Sequence, residues 1–159
     1  MILVTGAAGK TGRAVIQALI ELKQPVRAFI FRPDQKPLLE KIGVRDFVVG
    51  DLRARSKIDL ALKGVQAVYH ICPNMQPDEV SIGKTMLDAA GDAGVGRFVY
   101  HSVLHPQIEA MPHHWHKLRV EEMLCESRLS WTILQPAAYM SNIFTQWEQI
   151  MAQGVYAVP

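Results

Sequence analysis

Cysteine is nearly absent: Cys72 and Cys125 stand alone in 159 residues, and no Cys-x-x-Cys pair occurs. That excludes a disulfide framework and a thiolate metal site, and two isolated thiols fit a reducing compartment, so a cytoplasmic location is expected. Long apolar runs are missing too. The opening one ends within a few residues at Gly6, which reads as neither a secretory leader nor a membrane span, and no later run is long enough to cross a bilayer. Neither charge sign dominates: Lys and Arg number 17, Asp and Glu 15, and the net charge of +2 is spread along the chain, so nucleic acid is not implied as a partner. There is no internal repeat, low-complexity tract or linker, and a hydrophobic content of 49% suffices for a sizeable core, so one domain over residues 1–159 is expected.

What the chain has is an apolar strand running into three glycines spaced by threes, Met1-Ile2-Leu3-Val4-Thr5-Gly6-Ala7-Ala8-Gly9-Lys10-Thr11-Gly12. Ile2, Leu3 and Val4 suit a strand covered on both faces. Gly6 permits a sharp turn, Gly9 lets the backbone approach a pyrophosphate, and Gly12 lets the following helix sit close to the sheet. That helix is expected from about Thr11 to Lys23, with Val15, Ile16, Leu19, Ile20 and Leu22 as its buried stripe. Its N-terminal amides would face the phosphates, which places Ala8, Lys10 and Thr11 in the same site. A P-loop would need a glycine five positions before Gly9, where Val4 stands, so a triphosphate site is not indicated.

Further strands are expected over residues 26–31, 46–49, 67–71, 97–102 and 131–134. Between them come helices over about 36–42, 57–62 (with Ser56 and Asp59 as a capping box), 78–93 and the stretch after Pro112, where Leu118, Val120, Met123 and Leu124 are inward candidates. Strict alternation predicts an α/β fold, a doubly wound parallel sheet of Rossmann type that binds its ligand at the carboxyl ends of the strands.

An NAD site usually has an acidic residue near the end of the second strand. Here Arg32 stands there, and a guanidinium matches a 2′-phosphate in charge and geometry, favouring NADP; Asp34 leaves NAD possible, and Lys36 adds to the NADP side. Asp51, with Leu52 beside it, is placed to contact adenine, a plain turn being the alternative. Cys72 and Pro73 should border the ribose and nicotinamide side.

The ordered set of the glycine turn, Arg32, Gly50-Asp51-Leu52, Phe98-Val99-Tyr100-His101-Ser102, the helix bearing Lys117 and Glu121, and Trp131-Thr132-Ile133-Leu134-Gln135-Pro136 resembles the NmrA-like branch of the atypical short-chain dehydrogenase/reductases. The resemblance implies a Rossmann fold, NAD(P) binding and either reduction of a small carbonyl or quinone-like substrate or, as the alternative, a non-enzymatic redox sensor that regulates a protein partner. It assigns Lys117 to the nicotinamide ribose. The superfamily's tyrosine four residues before that lysine is replaced by His113, which becomes the candidate proton donor. Ser102 matches a hydroxyl position near the nicotinamide, with a capping or loop role as the alternative, and Tyr139 is placed to face the same ring unless it packs in the core.

Five of the six histidines fall between residues 101 and 116, but neighbouring His113 and His114 diverge on a helix and no acidic or cysteine ligand accompanies them at metal spacing, so no metal site is expected. Family members continue into a smaller C-terminal lobe that builds much of the substrate pocket. The sequence stops at Pro159, near where that lobe would begin, so the lobe is expected to be missing and the apolar surface it would cover makes a homo-oligomer plausible.

Overall fold

The computed structural model describes residues 1–156. In chain order the elements are β1 (Ile2–Val4), α1 (Lys10–Glu21), β2 (Val26–Ile30), α2 (Lys36–Glu40), β3 (Asp46–Val49), α3 (Arg55–Leu62), β4 (Ala67–His70), α4 (Glu79–Asp92), β5 (Arg97–His101), α5 (Pro112–Glu126), β6 (Trp131–Leu134) and α6 (Trp147–Gln153). Short 3-10 turns at Pro33–Gln35 and Met140–Gln146 precede α2 and α6. The six strands form one sheet in the order β3-β2-β1-β4-β5-β6. Every pairing is parallel, with Val4 between Ala28 and Tyr69 and with Tyr100 between His70 and Ile133. The strand order reverses beside β1, so the chain's first loop opens at the switch point of a Rossmann sheet.

Alternation along the strands divides the core. Leu3, Phe29, Val48, Val68, Phe98 and Tyr100 face one way and pack with Ile58 of α3, Ile82 and Met86 of α4, and Val120 and Leu124 of α5. Val4, Ala28 and Ile30 face the other way, against Ile16 of α1 and Leu39 of α2. The helices therefore lie on both faces, and each strand needs apolar residues at successive positions.

Several boundaries differ from expectation. Helix α1 ends at Glu21, and Leu22 is its C-cap, 69% exposed rather than part of the buried stripe. The chain turns there through Lys23 at φ +57°, which carries Leu22 off the sheet. The capping box at Ser56 does not form, because α3 starts earlier, at Arg55 with Ala54 as N-cap. Asp59 instead accepts from Arg55 Nε one turn back, at 2.6 Å. Phe31, Ile71 and Ser102 lie one residue beyond their strands, where the chain leaves the sheet to build a cleft. On α5, Val120 and Leu124 are buried, Met123 packs partly against the core, and Leu118 is half-buried.

Among the described residues no helix is long and apolar enough to cross a membrane. The segment after β6 leaves Met140, Phe144, Trp147 and Met151 exposed, Met140 to 91% and Phe144 to 71%.

Candidate functional site

The loop after β1 takes a path that glycine permits and other residues do not. Gly6 sits at φ +58°, where a Cβ would lie 2.9 Å from the Ile71 carbonyl oxygen. A Cβ on Gly12 would come within 2.3 Å of the Gly6 oxygen and 2.8 Å of Ala7 Cα, forcing α1 away from the loop. The Gly9 N–H donates to Gly6 O at 3.0 Å and closes the turn. Gly9 is also the N-cap of α1, with no side-chain cap and no acidic residue in the first turn. The helix thus offers uncapped N–H groups and its positive dipole end to the cleft, an arrangement suited to a phosphate.

Thr5 braces this turn from behind. Its hydroxyl donates to the Ile71 carbonyl at 3.1 Å and accepts from the Ile71 N–H at 2.8 Å, tying the end of β1 to the end of β4. His70 Nδ1 lies 2.9 Å from the same oxygen and must donate to it, since the Thr5 proton is already used. Its Nε2 is buried without a partner, and burial lowers the His70 pKa to about 3. The ring is therefore neutral at physiological pH.

A cleft of about 1040 Å³ runs along the carboxyl ends of the strands. Gly6, Ala8, Gly9, Lys10, Thr11 and Gly12 line it, as do Asp51, Leu52, Cys72, Pro73, Ser102, His113 and Lys117, so the fold brings nearly every residue singled out from sequence to one place. Arg32 is the exception. Its neighbours Phe31 and Gln35 line the cleft, while Arg32 lies just outside with Nε 3.3 Å from the Asp34 carboxylate, both side chains well exposed. An exposed pair of this kind is worth about 0–1 kcal/mol and leaves the guanidinium free to change partner.

Several of these side chains already have partners. Asp51 is held by Arg53, whose Nη2 donates to Oδ2 at 2.6 Å and whose backbone N–H donates to Oδ1 at 2.9 Å. The hydrogen bonds from Arg53 keep the Asp51 pKa below the usual carboxylate value. The Ser102 hydroxyl donates to Glu121, neither capping a helix nor standing free in a loop, and Gln135 Nε2 donates to both Glu121 oxygens at 3.0 and 2.9 Å. Burial pushes the Cys72 thiol up to about 12, which removes it as a nucleophile at neutral pH.

Lys117 is 8% exposed, and its Nζ donates to Glu79 Oε1 at 2.6 Å. The same oxygen accepts from the Tyr100 hydroxyl at 2.8 Å, leaving Oε2 buried without a partner. The Tyr100 ring stacks against His70 with centroids 5.9 Å apart.

The clustered histidines separate only in part, and His113 and His114, expected to diverge on the helix, have their rings in contact. His114 Nδ1 donates to the His105 carbonyl at 3.0 Å, and His113 sits edge-on to His114 at 4.7 Å with its pKa lowered first by burial and then by the His114 charge. His101 lies between two phenols: its Nδ1 is 3.1 Å from the Tyr69 hydroxyl and its Nε2 is 2.8 Å from the Tyr139 hydroxyl. Tyr139 reaches across to Thr11 Oγ1 at 3.1 Å and lines the cleft instead of packing in the core. Among the described residues no three His, Cys, Asp or Glu side chains form a metal-binding group.

The roles of Glu79 and Arg53 emerge in the fold, and His101, legible in the sequence only as one of the clustered histidines, gains its two phenol partners there. Glu79 reads as an ordinary first-turn acid of α4, and nothing in the spacing links it to a lysine 38 residues on. Arg53 carried a usable signal, its place two residues after Asp51, where a fork can close on the carboxylate.

Known proteins match this architecture closely. A solved NADPH-dependent quinone oxidoreductase of Escherichia coli, complexed with NADPH, superposes with a TM-score of 0.86 at 25% identity over 98% of this chain and 56% of its own. A triphenylmethane reductase of Citrobacter sp. complexed with NADP(H) gives 0.80 at 26% identity, over 96% of this chain and 54% of that one. In sequence, the chain is 30% identical over 161 residues to an NAD(P)H azoreductase of Xenophilus azovorans, covering all of itself and 55% of the relative. It thus spans about half the length of the relatives it matches. The model of the NmrA-like family matches residues 1–157, and the chain belongs to that family.

Proposed function

We propose that this chain forms the dinucleotide-binding part of an NADPH-dependent reductase acting on a small carbonyl or quinone-like acceptor. The observation that carries the reading is the glycine cradle, where Cβ atoms at Gly6 and Gly12 would fill the space beside the uncapped start of α1. Relatives that are NAD(P)H reductases of dyes and quinones support it. When bound, the reduced nicotinamide supplies a hydride and the chain supplies position and protons.

In this reading Gly6, Ala8, Gly9, Lys10, Thr11 and Gly12 hold the pyrophosphate. Arg32, exposed and weakly paired, swings from Asp34 to the 2′-phosphate. Leu52 and the Arg53-held Asp51 meet the adenine side, Cys72 and Pro73 border the ribose, and Ser102 and Lys117 lie on the nicotinamide side. His113 lines the same end and is a candidate for the proton step. The exposed Met140, Phe144 and Met151 make self-association part of the same proposal.

The test is NADPH oxidation, followed by absorbance, with a panel of quinones, azo dyes and aldehydes. Acceptor-dependent turnover that NADH supports less well is expected. A chain that binds NADPH yet passes a hydride to no acceptor overturns the reductase reading and leaves a dinucleotide-binding protein of another kind.

A further inference from the structure

The cleft contains a hydrogen-bonded chain of four side chains drawn from four separate parts of the fold. Tyr69 comes from β4, His101 from the end of β5, Tyr139 from the segment after β6, and Thr11 from the first turn of α1. The contacts are Tyr69 Oη to His101 Nδ1 at 3.1 Å, His101 Nε2 to Tyr139 Oη at 2.8 Å, and Tyr139 Oη to Thr11 Oγ1 at 3.1 Å. Tyr69 is half-buried and Tyr139 is exposed at the cleft, so the chain runs from the end of β4, within reach of water, to the place where a ligand would lie. We propose that Tyr139 is the proton donor of the reduction and that His101, backed by Tyr69, is the positioning residue that re-supplies it.

The proposal rests on the reductase reading and takes up the step that the missing tyrosine before Lys117 leaves open. The donor inventory allows two directions, and the proposal takes the one that leaves a proton free for the substrate. Burial and the nearby Lys117 charge lower the His101 pKa, so its imidazole is neutral and carries one proton. With the Tyr69 O–H donating to Nδ1, that proton sits on Nε2 and donates to Tyr139 Oη. The Tyr139 O–H is then directed into the cleft, with Thr11 as its acceptor until a substrate oxygen takes that place. Among the described residues His113 shows no such supply, and the ring beside it is another imidazole, edge-on.

The step balances without a further reagent. Hydride adds to the carbonyl or quinone, the displaced C=O π pair moves to oxygen, and that oxygen takes the proton from Tyr139 Oη. Tyr139 takes the His101 Nε2 proton, His101 Nδ1 takes the Tyr69 proton, and Tyr69 is reprotonated from water. The substrate gains two electrons and two hydrogens, and the nicotinamide loses a hydride.

Two classes of acceptor separate this role from a structural one. A quinone needs a proton after the hydride, whereas a triphenylmethane dye cation becomes its neutral leuco form on receiving the hydride alone. Tyr139→Phe is expected to slow quinone reduction by about 100-fold or more, the usual range for a lost acid catalyst. Dye reduction should fall at least about tenfold less than quinone reduction, since any weakening of NADPH binding through Thr11 is common to both acceptors and cancels in their ratio. His101→Gln, which keeps a hydrogen bond to Tyr139 but relays no proton, should slow quinone reduction less and lower its solvent deuterium isotope effect. In the cofactor-free chain, 15N spectra of histidine should show His101 protonated on Nε2, with a resonance that moves in Tyr139→Phe. Equal losses with quinone and dye, or no loss with either, overturn the relay while the reductase reading stands. A His101 resonance unmoved by Tyr139→Phe overturns it as well. Wild-type chain that binds no NADPH overturns the reductase reading first, and the relay with it.

Discussion

Lys117 shows how a side chain named for one task can be held by another. Its ammonium lies 2.6 Å from Glu79 Oε1 with both groups buried, so removing either leaves the other as an unpaired charge in a poor solvent. Lys117→Met is expected to cost about 3–5 kcal/mol in urea unfolding. The double variant with Glu79→Gln should recover most of that loss, and a vanishing coupling energy in the cycle would contradict the pairing. If Lys117 also holds the nicotinamide ribose, the restored double variant still binds NADPH more weakly than wild type. His70 makes a second residue-scale prediction. Its folded pKa of about 3 lies below the unfolded value near 6.5, so the unfolded chain binds the extra proton between those values. The stability contribution is complete above about pH 6.5 and is lost as pH falls toward 3. Thermal melts of wild type should therefore drop more between pH 7 and pH 5 than those of His70→Gln; parallel drops would contradict it. These partnerships were not legible in the sequence because they join residues 38 to 66 positions apart, where no local periodicity carries information.

At the scale of elements, most of the fold was legible. The six strands, their intervening helices and the glycine turn all follow from apolar runs, periodicity and turn residues, which act locally. Helix ends were less so. Ser56 and Asp59 carry the spacing of a capping box, yet Arg55 competes for Asp59 and α3 begins before the box can close. The packing of α4 on α5 was also invisible, because it depends on Gly83 meeting Val120 across the interface. A Cβ on Gly83 would sit 2.5 Å from Val120 Cγ2, closer than atoms can approach. Gly83→Ala should then push α5 outward and cost about 1–3 kcal/mol, and Val120→Ala beside it should return part of that. Since α4 carries Glu79 and α5 carries Lys117, the same change should loosen the cleft wall. An unchanged melting temperature would show that the interface absorbs the methyl group.

At the scale of the whole described chain there is a parallel sheet, a cleft at its switch point, and a set of exposed apolar side chains after β6. Met140, Phe144 and Met151 are each more than two-thirds exposed, and Phe144 lies beside the exposed Trp147 with ring centroids 6.3 Å apart, apolar surface that favours association. Sedimentation velocity should show this chain self-associating as concentration rises, and Phe144→Ser with Met151→Ser should shift it toward monomer; a monomer at all concentrations would contradict the proposal. The cleft itself was readable at this scale because parallel pairing brings the carboxyl ends of the strands to one side, so residues 6–12, 51–52, 72–73 and 102–104, with His113 and Lys117, converge without any pairwise signal. That Arg32 lies just outside the cleft was not readable, since its rotamer answers to Asp34 and solvent. The most direct test of the central claim is a titration of the chain with NADPH and NADH, followed by nicotinamide fluorescence, for wild type and Arg32→Ala. Saturable binding is expected, with NADPH preferred by about tenfold or more, as a charge-assisted contact of about 1.5–3 kcal/mol supplies, and with that preference lost in the variant. Absence of binding by either nucleotide would contradict the account.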